Sequence, residues 1–234
     1  MSKPHVLGLL PARGGSKGIP GKNLRPLCGR PLLHWAATAL VGAHSVSRRI
    51  CSTDDVAIAS AARDAGLEVP WLRPPELAAD RTLVVDVIRH VLDRLEQTAE
   101  PLFSHVVLVQ ATSPTVTSAD IDGALALAIG QDADTVISGF AAGQRHPATM
   151  YTVREDGCVD WLFGSSQRMA RRQDLPPVFV RTGLVYVMKA ALVRERGTIY
   201  GDRIFSWPVP EHRALTIDEE ADFRLAEYIM KECP

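Results

Sequence analysis

Arg13, Lys17 and Lys22 put three positive charges within ten residues, in a segment that also holds Gly14, Gly15, Gly18 and Gly21. Glycines let a backbone turn tightly and approach a ligand closely, and free N–H groups beside clustered cations suit a polyphosphate. Two common phosphate loops are excluded by counting. A P-loop needs glycine, four residues, then Gly-Lys-Ser/Thr, but here that first position is Ser16 and Asn23 follows Gly21-Lys22. A dinucleotide fingerprint opens directly into a helix, whereas Pro20 and Pro26 keep this stretch irregular. As a plain surface loop its lysines would serve solubility; a loop so long inside a compact domain points to function instead.

A second set of cations, Arg145, His146, Arg168, Arg171, Arg172 and Arg181, lies in the later half of the chain. Guanidinium forks suit carboxylate and phosphate or phosphonate oxygens, so a second anionic ligand is expected there. The run 168–172 reads equally well as a solvated arm or subunit contact and as an anion site. Asp54 and Asp80 read as caps or structural partners, and Trp161 and Phe163 as part of a subunit seam.

These groups need a frame. Residues 6–10 form a nearly all-apolar run ending at Pro11, the pattern of a strand buried on both faces. Helical periodicity follows at 31–40, a short strand at 49–53, and a helix at 56–64 that Asp54 or Asp55 can cap. An extended piece is expected at 68–72, a helix at 83–95, a strand at 105–110, a helix at 118–129 and a strand at 134–140. Strand and helix alternating at this spacing predict βαβ units and a mostly parallel sheet flanked by helices. In such sheets ligands bind beyond the carboxyl ends of the strands, which selects the segments after Leu10, Thr53 and Gln110. Between about 141 and 180 the pattern breaks into a hairpin around Glu155-Asp156-Gly157 and a basic loop, an arm inserted in the α/β frame. A strand at 184–188 and a helix at 219–231 close the chain.

The 234 residues carry 26 Lys+Arg against 27 Asp+Glu, a formal charge of −1. Such a balance provides no global footprint for nucleic acid or an anionic membrane, so anion recognition must be local. No apolar run reaches the roughly 20 residues that span a bilayer, and the N-terminal apolar run is too short for a signal peptide. Cys28, Cys51, Cys158 and Cys233 are far apart, without zinc or disulfide-scaffold spacing. A soluble, cytoplasmic globular protein is expected.

Pro11 to Asn23 resembles the signature Pro-Ala-Arg-x-x-Ser-Lys-x-(Ile/Leu)-Pro-x-Lys-Asn of the acylneuraminate cytidylyltransferase family, at every fixed position. Further likenesses follow in order: Ile50-Cys51-Ser52-Thr53-Asp54, Arg73-Pro74-Pro75-Glu76-Leu77-Ala78-Ala79-Asp80, Gln110-Ala111-Thr112-Ser113-Pro114, Gln173-Asp174-Leu175-Pro176, and Ile217-Asp218-Glu219-Glu220-Ala221-Asp222-Phe223. The resemblance spans nearly the whole chain. It implies a three-layer, Rossmann-like α/β nucleotidyltransferase fold, one domain over 1–234 with a dimerisation arm at about 141–180, and a homodimer.

The resemblance also implies an activity: transfer of CMP from CTP to an acidic sugar such as a sialic-acid-like nonulosonate, with Mg²⁺ and release of pyrophosphate. Arg13, Gly14, Ser16, Lys17, Lys22 and Asn23 would hold the triphosphate, while the backbone at Leu10 and Ala12, with Arg73, would read cytosine and ribose. Arg13 and Lys22 would stabilise phosphate charge and Asp218 would bind the metal. Gln110, with Arg171, Arg172 and Arg181, would meet the acceptor. Three departures stand out. The first metal-site aspartate of the family is Thr216 here, which leaves Asp218; Mg²⁺ often needs only one or two carboxylates beside phosphates and water. The arginine that follows the family's Ser-Pro is gone, leaving Thr115-Val116, and its Arg-x-Asn-Gly reads Arg181-Thr182-Gly183. The last two lie in the acceptor half, so two other readings stand beside the sugar: a small phosphonate acceptor, and a nucleotide-binding module without activity.

Overall fold

The computed structural model describes residues 4–16, 18–98, 101–162 and 174–232. Its frame is a six-stranded sheet in the order β10-β6-β9-β5-β1-β4. The strands are β1 (Val6–Pro11), β4 (Arg48–Ser52), β5 (His105–Leu108), β6 (Thr135–Ala141), β9 (Phe179–Lys189) and β10 (Ile204–Pro208). Between β1 and β4 lies a two-stranded ribbon of β2 (Pro26–Leu27) and β3 (Arg30–Pro31), and β7 (Tyr151–Val153) and β8 (Val159–Trp161) form a separate hairpin. The pairs β1–β4, β1–β5 and β6–β10 are parallel, while β9 runs antiparallel to both β5 and β6. The mostly parallel α/β sheet expected from the alternation is therefore present, with one reversed strand.

Period-two alternation along β1 divides the core. Val6 and Leu10 face one layer, with α1 (Leu32–Gly42), α2 (Val56–Asp64) and α4 (Ser118–Gly130). Leu7 and Leu9 face the other, with α3 (Val84–Glu96) and the single turn Leu192–Arg196. Both sets are fully buried, which is why the run carried no polar residue. A third cluster joins Ile19, Leu27 and Leu32 to Leu215, Ile217, Phe223 and Ala226, so the final helix α5 (Glu220–Glu232) clasps the glycine-rich loop. Arg25 reinforces this contact by a forked pair with Glu220 at 2.5 and 2.6 Å and by lying 4.3 Å from the Phe223 ring centroid.

Several expectations need correction. The strand expected at 184–188 begins at Phe179, because its first three residues, Phe179, Val180 and Arg181, are exposed or half-buried and do not continue the buried apolar run. Its register with β6 shifts between Ile137 and Gly139, where Ser138 Oγ meets Thr182 Oγ1 at 2.6 Å and the Val185 carbonyl at 3.0 Å. The edge strand β10 was not expected; its residues alternate between exposed and half-buried, and Pro208 ends it. The extended piece at 68–72 contributes only a single bridge, Glu68 to Ile50. The hairpin is present, turned by Gly157 at φ +81° and stapled by Tyr151 against Trp161 at 5.4 Å between ring centroids. Phe163 lies outside the described residues. No described helix is long and apolar enough to cross a membrane.

Candidate active site

Strand β1 pairs with β4 on one side and β5 on the other, so the crevice beyond its carboxyl end is a switch point of the sheet. The glycine-rich loop crosses this point and is tied down from three directions. The Ala12 N–H donates to the Ser52 carbonyl at 3.0 Å, extending β4 pairing by one residue. The Gly14 N–H donates to Asp54 Oδ1 at 3.1 Å, and the buried Asn23 side chain donates to the Arg13 carbonyl at 3.0 Å. Gly18 passes so close to the segment 217–218 that a Cβ there would lie 2.7 Å from the Asp218 carbonyl oxygen. Lys22 completes the loop: its Nζ donates to the Ile217 carbonyl at 2.7 Å and to Asp218 Oδ1 at 3.1 Å.

The result is a cleft of about 480 Å³ lined by Ala12, Arg13, Ser16, Lys22, Gln110 and Asp218, among others. A smaller recess of about 310 Å³ shares Arg13 with it and adds Arg73 and Asp80. Leu10 and Ala12 bury their side chains, so only their backbone could meet a ligand, and the Ala12 N–H is already engaged. Arg13 Nη1 lies 2.6 Å from Asp80 Oδ1. Arg73 is 5% exposed, with one guanidinium nitrogen 3.5 Å from Asp54 Oδ1 and its Nε without a partner. Burial lowers its pKa from the ordinary arginine value, with Asp54 opposing; arginine stays charged through such a shift. Lys17, Arg168, Arg171 and Arg172 lie outside the described residues.

The sequence reading passed over part of this architecture. Asp55, not Asp54, caps α2, accepting the N–H groups of Ala57 and Ile58. Asp54 is thereby free to clasp both Gly14 and Arg73. Asp222 accepts the N–H groups of Asp218 and Glu219 at 2.9 and 2.8 Å, fixing the backbone that presents the Asp218 carboxylate. Upstream, Arg213 forks onto the buried Asp120 at 2.7 and 3.0 Å, and the Ile217 N–H donates to the Thr112 carbonyl at 2.9 Å. Capping patterns were the available signals: Thr117-x-x-Asp120 forms a capping box. The Arg213 partnership spans 93 residues and had no local signal.

On the far side of Gln110 opens a larger cleft, about 830 Å³, lined by Phe140, Arg145, Arg181, Gly183, Thr216 and Asp222, among others. Arg181 contacts the Tyr200 hydroxyl, and Arg145 pairs with Glu211 at 2.7 Å. Thr216 and Asp218 therefore border different clefts, although they lie two residues apart. Gln110, in the wall between the clefts, makes no side-chain hydrogen bond among the described residues. No group of three His, Cys, Asp or Glu side chains among the described residues is arranged to hold a metal unaided.

Residues 7–151 match the family model described as cytidylyltransferase. The chain is 28% identical over 218 residues to the N-acylneuraminate cytidylyltransferase of Streptococcus agalactiae, covering 92% of this chain and 51% of that protein. It thus spans about half the length of that relative. It is 26% identical to the CMP-N,N'-diacetyllegionaminic acid synthase of Campylobacter jejuni, covering 97% of this chain and 95% of that one. The solved structure of a CMP:2-keto-3-deoxy-manno-octonic acid synthetase complexed with CTP superposes with a TM-score of 0.71 at 15% identity, covering 97% and 99% of the two chains. That likeness establishes the fold.

Proposed function

The chain belongs to the cytidylyltransferase family, and from that premise we propose that it transfers CMP from CTP to an acidic, sialic-acid-like nonulosonate with release of pyrophosphate. The observation that carries this reading is the loop of Arg13, Ser16 and Lys22, laced over the carboxyl ends of β1 and β4 beside Gln110. An acceptor hydroxyl oxygen forms a bond to the α-phosphorus as the bond from that phosphorus to the bridging oxygen of pyrophosphate breaks. Such substitutions depend on positioning and charge neutralisation more than on covalent help from the protein. Arg13 and Lys22 supply cations to the phosphates, and the loop's backbone N–H groups add to them. Gln110 faces the acceptor.

The Asp218 carboxylate, 73% exposed at the cleft edge, fits a magnesium ion that takes its remaining ligands from phosphates and water. When bound, such an ion neutralises phosphate charge. The cleft of about 830 Å³ supports an acceptor of sugar-acid size, within the roughly 300–1,000 Å³ typical of small-molecule sites. A small phosphonate would leave most of it unfilled. The hairpin exposes Tyr151, Val153, Val159 and Leu162, an apolar surface suited to a second copy of the chain in a homodimer.

Pyrophosphate release with CTP, measured against N-acetylneuraminate, ketodeoxyoctulosonate and phosphonoformate, tests the reading. Turnover of the nine-carbon acid is expected. Turnover of the phosphonate alone would replace the sugar by the phosphonate acceptor, and no pyrophosphate with any acceptor would mark an inert nucleotide-binding module.

A further inference from the structure

Gly183 has an ordinary backbone conformation: its φ does not lie in the left-handed region that calls for glycine. Strand β9 would accept a side chain there as far as its backbone is concerned. What such a side chain would meet is Gln110. A Cβ built on Gly183 would overlap Gln110 Oε1, lie 3.0 Å from Gln110 Cδ and 3.3 Å from Ser113 Oγ. Ser113 Oγ, fully buried and without a hydrogen-bond partner, borders the same notch. The Gln110 carboxamide, itself unbonded, therefore leans into a notch that exists only because residue 183 has no side chain. Gln110 borders the loop cleft and Gly183 the larger cleft, so the notch lies in the wall between nucleotide and acceptor halves.

We propose that Gly183 is a positioning residue for the reaction: its missing side chain seats the Gln110 carboxamide in the dividing wall, at the orientation that selects the acceptor. This rests on the proposed acceptor role of the larger cleft. Filling the notch would drive the carboxamide toward the loop cleft and withdraw it from the acceptor, while β9 keeps its pairing. The two positions before it are already committed, Arg181 to Tyr200 and Thr182 to Ser138, which leaves Gly183 as the position that sets Gln110.

The test compares wild type, Gly183→Ala, Gln110→Ala and the double variant, with three readouts. The first is the KM for the acceptor, the second the affinity for CTP by calorimetry, and the third the Gln110 side-chain amide resonance, assigned by its loss in Gln110→Ala. Gly183→Ala should raise the acceptor KM about tenfold, change CTP affinity less than twofold, and move the Gln110 amide resonance. In the Gln110→Ala background the same substitution should change the acceptor KM less than twofold. An equal effect in both backgrounds, or an unmoved resonance, overturns the proposal. A moved resonance with no turnover of any acceptor instead removes the proposed function, and with it Gly183's part in acceptor choice.

Discussion

Lys22 Nζ lies 3.1 Å from Asp218 Oδ1 across 196 residues of sequence, and the same nitrogen donates to the Ile217 carbonyl at 2.7 Å. The lysine is 12% exposed and the aspartate 73%. The cation proposed for the triphosphate and the carboxylate proposed for the metal thus hold each other. Arg13 and Asp80 repeat the arrangement on the neighbouring wall. Each of the two cleft cations thus has a carboxylate beside it.

Lys22→Ala removes both the phosphate cation and the tether to Ile217. We expect pyrophosphate release to fall at least about 100-fold, the order of one well-aimed charge-stabilising donor. The loop keeps its Asn23, Gly14 and Ala12 bonds, so circular dichroism and the melting curve should stay close to wild type. Near-normal activity would mean that the triphosphate sits elsewhere.

Asp218→Asn keeps the side chain's shape and its place beside Lys22 but weakens its affinity for a hard cation. The magnesium concentration for half-maximal activity should rise about tenfold or more, with CTP affinity in the absence of metal equal or tighter. An unchanged magnesium titration would remove Asp218 as a metal ligand.

Asp120→Asn tests the buried fork that carries the 213–218 segment. Burial tends to raise the Asp120 carboxyl, but the Arg213 fork, the Thr117 hydroxyl and the Trp207 indole outweigh it and hold the pKa below the ordinary aspartate value. A depressed folded-state pKa contributes stability that is present above the unfolded value near 3.8 and is lost as pH falls through the lower folded value. The variant should therefore be about 3 kcal/mol less stable at pH 7, the scale for removing one partner of a buried pair. Urea unfolding should show the gap narrowing below about pH 4. A gap constant from pH 7 to pH 3 would contradict the ionic account.

Cys51 is the penultimate residue of β4, near Arg73, and burial pushes its thiol up to about 12, with Arg73 opposing. At pH 8 it should resist iodoacetamide in the folded protein while exposed Cys158 reacts. Peptide mapping after native and denatured labelling would show this; native labelling of Cys51 would mean that β4 opens at its carboxyl end.

The frame was legible because Val6, Leu7, Leu9 and Leu10 are buried on alternate faces, a demand that leaves an apolar run in the sequence. The loop was legible because its work needs glycines and cations close together in the chain. The start of β9 was not, since Phe179 to Arg181 pair through their backbone with half-exposed or exposed side chains. Nor were the partners of Arg13, Lys22 and Arg213, which come from 67, 196 and 93 residues away. Charge pairing across a cleft leaves no periodicity, and either member alone reads as a surface residue. Gly183 shows the same limit: the sequence displays the glycine, while its proposed reason is a glutamine two residues beyond the end of β5.

Because β9 runs against the other five strands, it begins at the end of the sheet where they finish: Phe179 pairs with Ala141 at the close of β6, and Lys189 with His105 at the start of β5. The chain before residue 179 consequently joins the sheet at the mouth of the larger cleft. The strand therefore enters the sheet through the lining of that cleft, at Val180 to Gly183, before it reaches the buried run from Leu184 to Met188.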